Sequence, residues 1–532
     1  MIIEEVYIYN YKTFKEINLK LNEDINILVG NNEVGKSTIL EAINLALTGQ
    51  LNGKNVSYEL TPFLFNECNT KKYIEELQNG NFPCPPKILI ELYLKDSDSL
   101  AEFLGTNNSK RENKSGFYIL IEFDETYSVE YTKYISNPSE IRTIPIEYYS
   151  VRWYSFANNP ITSRSIPLNT TLIDASFGKQ QFGTDKYISK IINDYLNVKE
   201  RVDLSLSFRK LKELFSTDEN IQNINTKLQE TKGEITDKTL TLSVDISPKT
   251  NWESNLTSYL DDIPFQFIGK GEQNSIKIKL ALEASLLESN LILIEEPENH
   301  LSYSNMSILI DKISEKCEGK QLIITTHSTF VLNKLGIDKV ILLNNNSRFM
   351  SLKDLSSETQ KYFKILPGFD TLRMLLSQKP ILVEGPSDEL IVQKAYKIEK
   401  NKLPINDGID IITVRGLSFK RFLEIANILQ KDIKVITDND GNIANLNSKY
   451  ADYRDVTFIK IFYDTDESYP TLEPQIVKCN NLETLNTILG RSETTKEDMI
   501  EYMKKNKTET ALKIFESDTN IEIPEYIKNA IQ

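Results

Sequence analysis

Apolar and polar positions alternate along residues 2–9 and 15–21, the period of a strand with one buried face. Residues 25–29, Ile-Asn-Ile-Leu-Val, form a short apolar strand that runs into a glycine-bounded loop, and 37–48 take up helical spacing. Segments 87–94, 117–134 and 145–156 are rich in β-branched and aromatic residues at period two and predict a mainly β lobe. The spacing changes between 184 and 232, where KYISKIINDYLNV and SLSFRKLKELFS place apolar residues three and four apart. Helices are expected there, as an insertion without the sustained heptads of a long coiled-coil arm.

From 272 the pattern alternates: helix 272–288, strand 291–295, helix 304–316, strand 321–325, helix 329–335, strand 339–343. That order predicts a mostly parallel sheet. The polar stretch NNNSRFMSLKDLSSETQ reads as a linker. A second alternation follows, with strand 380–384, helix 387–399, strand 409–414, helix 418–430 and strand 433–437, and then a charged helical tail from 481. The expected organisation is an N-terminal lobe at 1–159, a helical insertion at 160–245, a second lobe at 246–350, a linker at 351–378, an α/β domain at 379–480 and a helical segment at 481–532.

A chain of 532 residues predicts two to four domains. No run of about 18 apolar residues predicts a membrane span, and the opening MIIEEVYIYN is acidic and alternating, unlike a secretory signal. Cys68, Cys84, Cys317 and Cys479 are scattered with no CxxC pair, which fits a reducing cytosol and a cytoplasmic protein. A net charge of −14 argues weakly against a general nucleic-acid coat and leaves room for a local basic groove. The two histidines, His300 and His327, are too few for His-rich metal chemistry, so any metal site must be built of carboxylates.

Gly30-Asn31-Asn32-Glu33-Val34-Gly35-Lys36-Ser37 fits G-x-x-x-x-G-K-[ST] between a strand and a helix, the context that motif requires. Its glycines allow the tight path, so the loop and helix-start amides, with Asn31, Asn32, Gly35 and Thr38 among their residues, can face phosphate oxygens of ATP. Lys36 would neutralise the β/γ-phosphates and Ser37 would hold Mg²⁺. Far downstream, Leu291-Ile292-Leu293-Ile294-Glu295-Glu296 ends an apolar strand in two acids. Glu295 is expected to bind Mg²⁺ through water, and Glu296 to polarise the attacking water. The strand 322–326 delivers His327 at its tip, the place of a γ-phosphate sensor.

A second chemistry begins at PILVEGPSDELI, residues 380–391. Glu384 ends an apolar strand, Gly-Pro turns, and Asp388 arrives in the first helical turn. Asp438 and Asp440 in Thr437-Asp438-Asn439-Asp440 end another strand of the same alternation, at i and i+2, so both would leave on one side. Open α/β sheets place their sites at the carboxyl ends of strands. Taken singly, EGPSD is a capped helix start and DND a turn. Together they bring four acids to one place, and four acids repel unless divalent cations sit among them. Oxygen ligands without His or Cys favour Mg²⁺ or Mn²⁺, and two such ions would activate water and stabilise the leaving oxygen of a phosphodiester.

Gly269-Lys270-Gly271-Glu272-Gln273 resembles the signature segment of ATP-binding-cassette ATPases. The order of P-loop, signature, E-E-P-E-N-H-L and T-H-S is similar to the branch with chromosome-maintenance and recombination ATPases. That resemblance implies two heads sandwiching ATP, with Gly271 and Gln273 of one head capping the nucleotide of the other, and Lys12 near the phosphates. The acids at 384, 388, 438 and 440 resemble a Toprim domain. The pairing of the two parts in one chain resembles the OLD (overcoming lysogenisation defect) family of nucleases, which includes the nuclease subunit of the Gabija anti-phage system. The implied fold is α/β: an ABC-type P-loop ATPase head with a helical dimerisation insertion, followed by a Rossmann-like Toprim domain. The family pattern adds Glu473, in Thr471-Leu472-Glu473, as a ligand for the second metal. It also adds Lys507 as a charge stabiliser, with Lys504 and Lys505 as adjacent alternatives. Asp388 stands where Glu is more usual and Thr471 where Ser is common.

The implied activity is an ATP-regulated, metal-dependent DNA endonuclease in anti-phage defence, a homodimer or larger homo-oligomer that works with DNA and with a helicase or other defence-system subunit. Arg415, Lys420, Arg421, Lys431 and Lys434 are candidate phosphate contacts. The alternative is a DNA-repair or chromosome-associated ATPase whose Toprim-like domain binds DNA without cutting it. A nucleotide-sensing regulatory subunit is a reading from another class, and it would have no need of five aligned acids.

Overall fold

The structure, a computed structural model, describes residues 1–174, 196–230, 241–244, 258–285, 290–344, 349–366, 370–414 and 419–532. The chain divides into two compact units. One comprises Met1–Ile25 with Ser37–Thr325, the other Asn26–Lys36 with Thr326–Gln532. The cut through the first part of the chain passes between Lys36 and Ser37, inside the phosphate-loop motif.

The first unit is built on an antiparallel sheet. The strands Ile3–Tyr11 and Phe14–Lys20 form a hairpin, and the sheet continues through Ile88–Leu94, Lys114–Phe123, Tyr149–Ser155 and Pro160–Ile161. Alternation shows directly in burial, with Val6 and Ile8 fully buried and Tyr7 between them half-buried. The expectation of strand across 117–134 holds only to Phe123, because Ser128–Tyr134 is a helix that buries Tyr131. Three strands of the same unit, Thr170–Asp174, Leu291–Glu295 and Gln321–Thr325, run parallel, and the central one is apolar and fully buried from Leu291 to Ile294, as a strand covered on both faces must be. In the insertion, Val198–Ser216 and Glu219–Glu230 are helices. The expected helix around 184–195, and much of 231–257, lie outside the described residues.

Buried Gln321 ties the two sheets of this unit together. Its Oε1 accepts from the Ile3 amide at 2.9 Å, and its Nε2 donates to the carbonyls of Ile3 at 2.8 Å and Asn22 at 2.9 Å.

The second unit holds the strand Ile25–Gly30, parallel to Val340–Leu343, which pairs antiparallel with Phe349–Ser351. It also holds a four-stranded parallel sheet in the order Ile409–Thr413, Lys379–Val383, Ile433–Ile436, Ile459–Phe462. Helices Pro386–Lys400 and Phe419–Ile428 make the connections, so the chain winds outward in one direction from Lys379–Val383 and then in the other. The reversal falls between Lys379–Val383 and Ile433–Ile436, which makes the crevice at their carboxyl ends the switch point of the sheet. The tail forms helices 482–489, 496–505, 507–516 and 525–531, whose Met499, Met503, Ile514 and Ile527 join the core beneath the sheet.

The stretch 351–378, expected as a linker, carries helices Ser357–Ile365 and Thr371–Leu376. Ser356 caps the first through its side chain, and Phe363 and Met374 are fully buried, so the polar look of the sequence hides two packed turns. The four cysteines are free. No described helix is long and apolar enough to cross a membrane.

Gln321→Leu should destabilise the protein by about 2–4 kcal/mol, because it removes three hydrogen bonds to backbone groups, among them the one to the buried Ile3 amide. Chemical denaturation checks this, with a lowered midpoint as the expected result.

Candidate functional site: an acidic crevice and a phosphate loop

At the switch point, Lys379–Val383 ends and Glu384 follows it, half-buried. Gly385 is the N-cap of the next helix and Pro386 its first residue, the position where a missing N–H costs nothing. Asp388 reaches back from the first turn, and its Oδ2 accepts the Gly385 amide at 3.0 Å. On the neighbouring strand, the Thr437 hydroxyl donates to Glu384 Oε1 at 2.7 Å, and the Asp438 amide approaches the same oxygen at 3.3 Å. Glu384 thus spans the two strand ends.

Strand pleating, on which the spacing argument relied, does not extend to Asp440. The strand stops at Ile436, and Asp440 has φ +49°, exposed on a turn whose amide donates to Pro470 O at 3.1 Å. Asn439 between them is the anchor. It is fully buried, its Nδ2 donates to the carbonyls of Asp464 at 2.7 Å and Asp466 at 3.0 Å, and its Oδ1 accepts the Gly441 amide at 2.8 Å.

Glu473 lies at the start of the Leu472–Cys479 helix, 4 % exposed. Thr471 Oγ1 donates to its Oε2 at 3.0 Å, and Lys507 Nζ stands 3.5 Å from its Oε1. Of the three candidate lysines, Lys507 faces the acids, whereas Lys505 pairs with Glu501 at 2.6 Å.

Four of the five predicted acids therefore act on one another. Burial, then the Glu384 charge, pushes the Asp388 carboxyl up to about 7, with Glu473 adding to it. Burial, then Asp388, Glu384 and Glu473, pushes Asp438 up to about 8, against the pull of Lys507. The buried Tyr526, whose hydroxyl donates to Gln475 at 2.8 Å, also feels Asp438 and Asp388, and burial with these charges holds its phenol far above the usual value. Among the described residues no three acidic, His or Cys side chains stand at the spacing of one cation's ligand shell. The carboxylates instead turn to the Gly385 amide, the Thr437 and Thr471 hydroxyls and Lys507. The donor set, four carboxylates against one ammonium with no nitrogen or sulfur ligand, fits a hard divalent cation.

Of the basic residues singled out, Arg421 bonds Glu358 and Thr359, both at 3.0 Å. Lys431 donates to Leu375 O and Lys434 to Ala530 O, both at 2.7 Å. Those three cations are spent within the protein, Lys420 is exposed, and Arg415 lies outside the described residues.

In the second unit, buried Lys36 folds over its own loop, donating to Gly30 O at 2.8 Å and Asn31 O at 3.0 Å. Asn31 and Asn32 are exposed, and Gly35 has φ +98°, which only glycine takes without strain. Gly30 must stay bare because a Cβ there would meet Leu343 O at 2.8 Å. His327 is exposed, just after Thr326.

In the first unit, Ser37 and Thr38 open the Lys36–Thr48 helix. Lys12, with φ +46°, is held by Glu41 of that helix at 2.5 Å. Glu295 ends its strand opposite Asp174 and Thr325. Glu296 follows at φ +42°, its carboxylate accepting from Asn299 at 2.8 Å. Gly271 lies in the first turn of Lys270–Ser285, where a Cβ would come within 2.2 Å of His300 O. The Gln273 amide is engaged with the carbonyls of Phe265 at 2.9 Å and Ile268 at 2.8 Å.

Residues 1–332 match the family described as AAA ATPase domain, more than half of the chain. The chain belongs to that AAA ATPase family. Residues 375–440 match the Toprim domain of overcoming lysogenization defect protein-like sequences, so an ATPase domain is followed by an OLD-like Toprim domain, the OLD-family architecture. The DNA replication and repair protein RecF of Clostridium tetani is 30 % identical over 74 residues, 14 % of this chain and 20 % of that protein. RecF of Alkaliphilus oremlandii is 35 % identical over 60 residues, 11 % and 16 % of the two chains. The chain thus spans a fifth or less of the length of these curated relatives. A solved structure of the recombination mediator protein RecF with ATP is similar at 13 % identity and a TM-score of 0.35, over 66 % of this chain and 99 % of that one.

The crowded acids of the Toprim domain set a pH dependence. Asp388 and Asp438 have folded values, about 7 and about 8, raised above the ordinary carboxylate value. Their contribution to stability is therefore complete below about pH 4 and is lost as pH rises through about 7 to 8. Asp438→Asn removes one of the repelling charges. In thermal unfolding without divalent cations, the advantage of the variant over wild type should be near zero at pH 4 and largest above about pH 8.

Proposed function

We propose that this protein is an ATP-regulated, divalent-metal-dependent DNA endonuclease acting in anti-phage defence. The observation that carries the reading is the convergence of Glu384, Asp388, Asp438 and Glu473, from segments up to 89 positions apart, on the switch-point crevice of the Toprim sheet. Acids held this close, against their own repulsion, need a function that uses the charge.

Glu384, Asp388, Asp438, Asp440 and Glu473 would hold Mg²⁺ or Mn²⁺, and closing that shell takes rotation of Asp388 away from the Gly385 amide. Bound there, the cations would supply an activated water and a stabilised leaving oxygen for phosphodiester hydrolysis. Thr437 and the Asp438 amide keep one Glu384 oxygen engaged and leave the other to a ligand. Lys507, half-exposed beside Glu473, is placed to meet the negative charge of a cleaved phosphate.

In the ATPase domain, Lys36, Ser37, Glu295, Glu296 and His327 are assigned to ATP and its Mg²⁺, with Gly271 and Gln273 contributing to a second copy's nucleotide in a homo-oligomer. A route for ATP control lies within one compact unit. Asn31 of the phosphate loop and Leu375, Leu429 and Lys431 on the Toprim side line the same cavity of about 310 Å³. A helicase or other defence-system subunit is the proposed partner.

A supercoiled-plasmid assay tests the proposal. Wild-type protein with Mg²⁺ or Mn²⁺ should nick, Asp438→Ala should lose at least 100-fold in rate (about 2.7 kcal/mol), and adding ATP should change the wild-type rate. DNA-stimulated ATP turnover with no strand cut would favour instead a repair ATPase whose Toprim domain only binds.

A further inference from the structure

The acidic crevice has a third hydroxyl that the sequence did not flag. Tyr450 follows the short helix Ile443–Lys449 that leaves the Asp-Asn-Asp-Gly turn, and its amide donates to Leu446 O at 3.2 Å. Its ring is buried at 3 % exposure, and its hydroxyl oxygen is sealed from solvent and makes no hydrogen bond of ordinary geometry, with the Thr437 hydroxyl as its hydrogen-bonding neighbour. The polar groups acting on it belong to the crevice. Burial and the Glu384 charge raise the phenol's pKa, the Thr437 hydroxyl lowers it, and Asp440 raises it further.

A buried phenol whose hydrogen bond is left incomplete is costly. Donor and acceptor counts identify the missing bond. Thr437 has one hydroxyl proton, and it is committed to Glu384 at 2.7 Å. Its oxygen keeps lone pairs free, while Tyr450 has a proton with nowhere else to go. Only one direction serves both groups, Tyr450 donating to Thr437 and Thr437 donating to Glu384.

We infer that Tyr450 is a positioning residue of the Toprim site, which holds Glu384 in its ligand orientation through a two-hydroxyl relay with Thr437. A hydroxyl that accepts a hydrogen bond donates a stronger one, so the relay pins Glu384 Oε1 toward the protein and turns Oε2 to the crevice. This rests on the metal-site reading above and adds to it the groups that orient the first ligand, a kind of support whose loss typically weakens metal binding 10- to 100-fold.

The test is Mn²⁺ binding to the full chain, followed by electron paramagnetic resonance of free Mn²⁺ and by calorimetry. Asp438→Asn first establishes which binding belongs to the Toprim site. Tyr450→Phe, which keeps the ring and its packing, should weaken that binding about tenfold, and Thr437→Val by at least as much. Thr437→Ser should bind as wild type does. Because Tyr450 acts through Thr437, adding Tyr450→Phe to Thr437→Val should cost nothing more. Wild-type affinity in Tyr450→Phe overturns the relay, as does a double variant that loses the product of the two single effects. If wild type itself shows no Asp438-dependent Mn²⁺ binding, the metal-site reading fails. The relay is then judged by the same cycle in thermal unfolding, where additive losses refute it and non-additive losses support it.

Discussion

Like charges held together in a half-buried crevice are the constraint on which the C-terminal domain turns. Burial, with the charges of Glu384 and Glu473 and of one another, raises the pKa values of Asp388 and Asp438, a cost that the fold bears. The surroundings are arranged to bear it. The Gly385 amide holds Asp388, the Thr437 hydroxyl holds Glu384, and Lys507 with the Thr471 hydroxyl holds Glu473. Asn439 fixes the turn that carries Asp438 and Asp440 by bonding three backbone groups from full burial. A parallel sheet whose winding reverses at this point supplies the crevice without further design.

The same unit contains the phosphate loop up to Lys36. Gly30 pairs in register with Leu343, at a contact too close for any side chain, so the loop is seated on the strand Val340–Leu343 rather than free to drift. Asn31 of the loop and Lys431, two residues before the Ile433–Ile436 strand, line one cavity. The affiliation to AAA ATPases and the OLD-like Toprim domain fit this arrangement.

Much of this was legible in the chain. Apolar runs ending in acids, a Gly-Pro turn and an Asp in the first helical turn mark strand–site–helix junctions, because side chains at such junctions have few other places to point. The parts that were not legible depend on long-range packing. Asn439 reads as turn filler until Asp464 and Asp466 are seen to bring their carbonyls to it. Tyr450 is one of 25 tyrosines, and nothing local distinguishes it. Asp440 was expected to follow strand periodicity, but the turn had already taken it to positive φ. The segment 351–378 looked like a linker because its caps, Ser356 and Asp370, are polar, whereas the residues they introduce, Phe363 and Met374, are core. The basic residues near the site read as candidate phosphate contacts because sequence does not show that Arg421, Lys431 and Lys434 are already bonded inside the domain.

The central claim is that these acids are a cation site. Anomalous scattering from crystals of the protein soaked in Mn²⁺ examines it most directly. The account predicts peaks enclosed by Glu384, Asp438 and Glu473, with the Asp388 carboxylate swung away from the Gly385 amide. Mn²⁺ peaks elsewhere on the molecule and none in the crevice would contradict it.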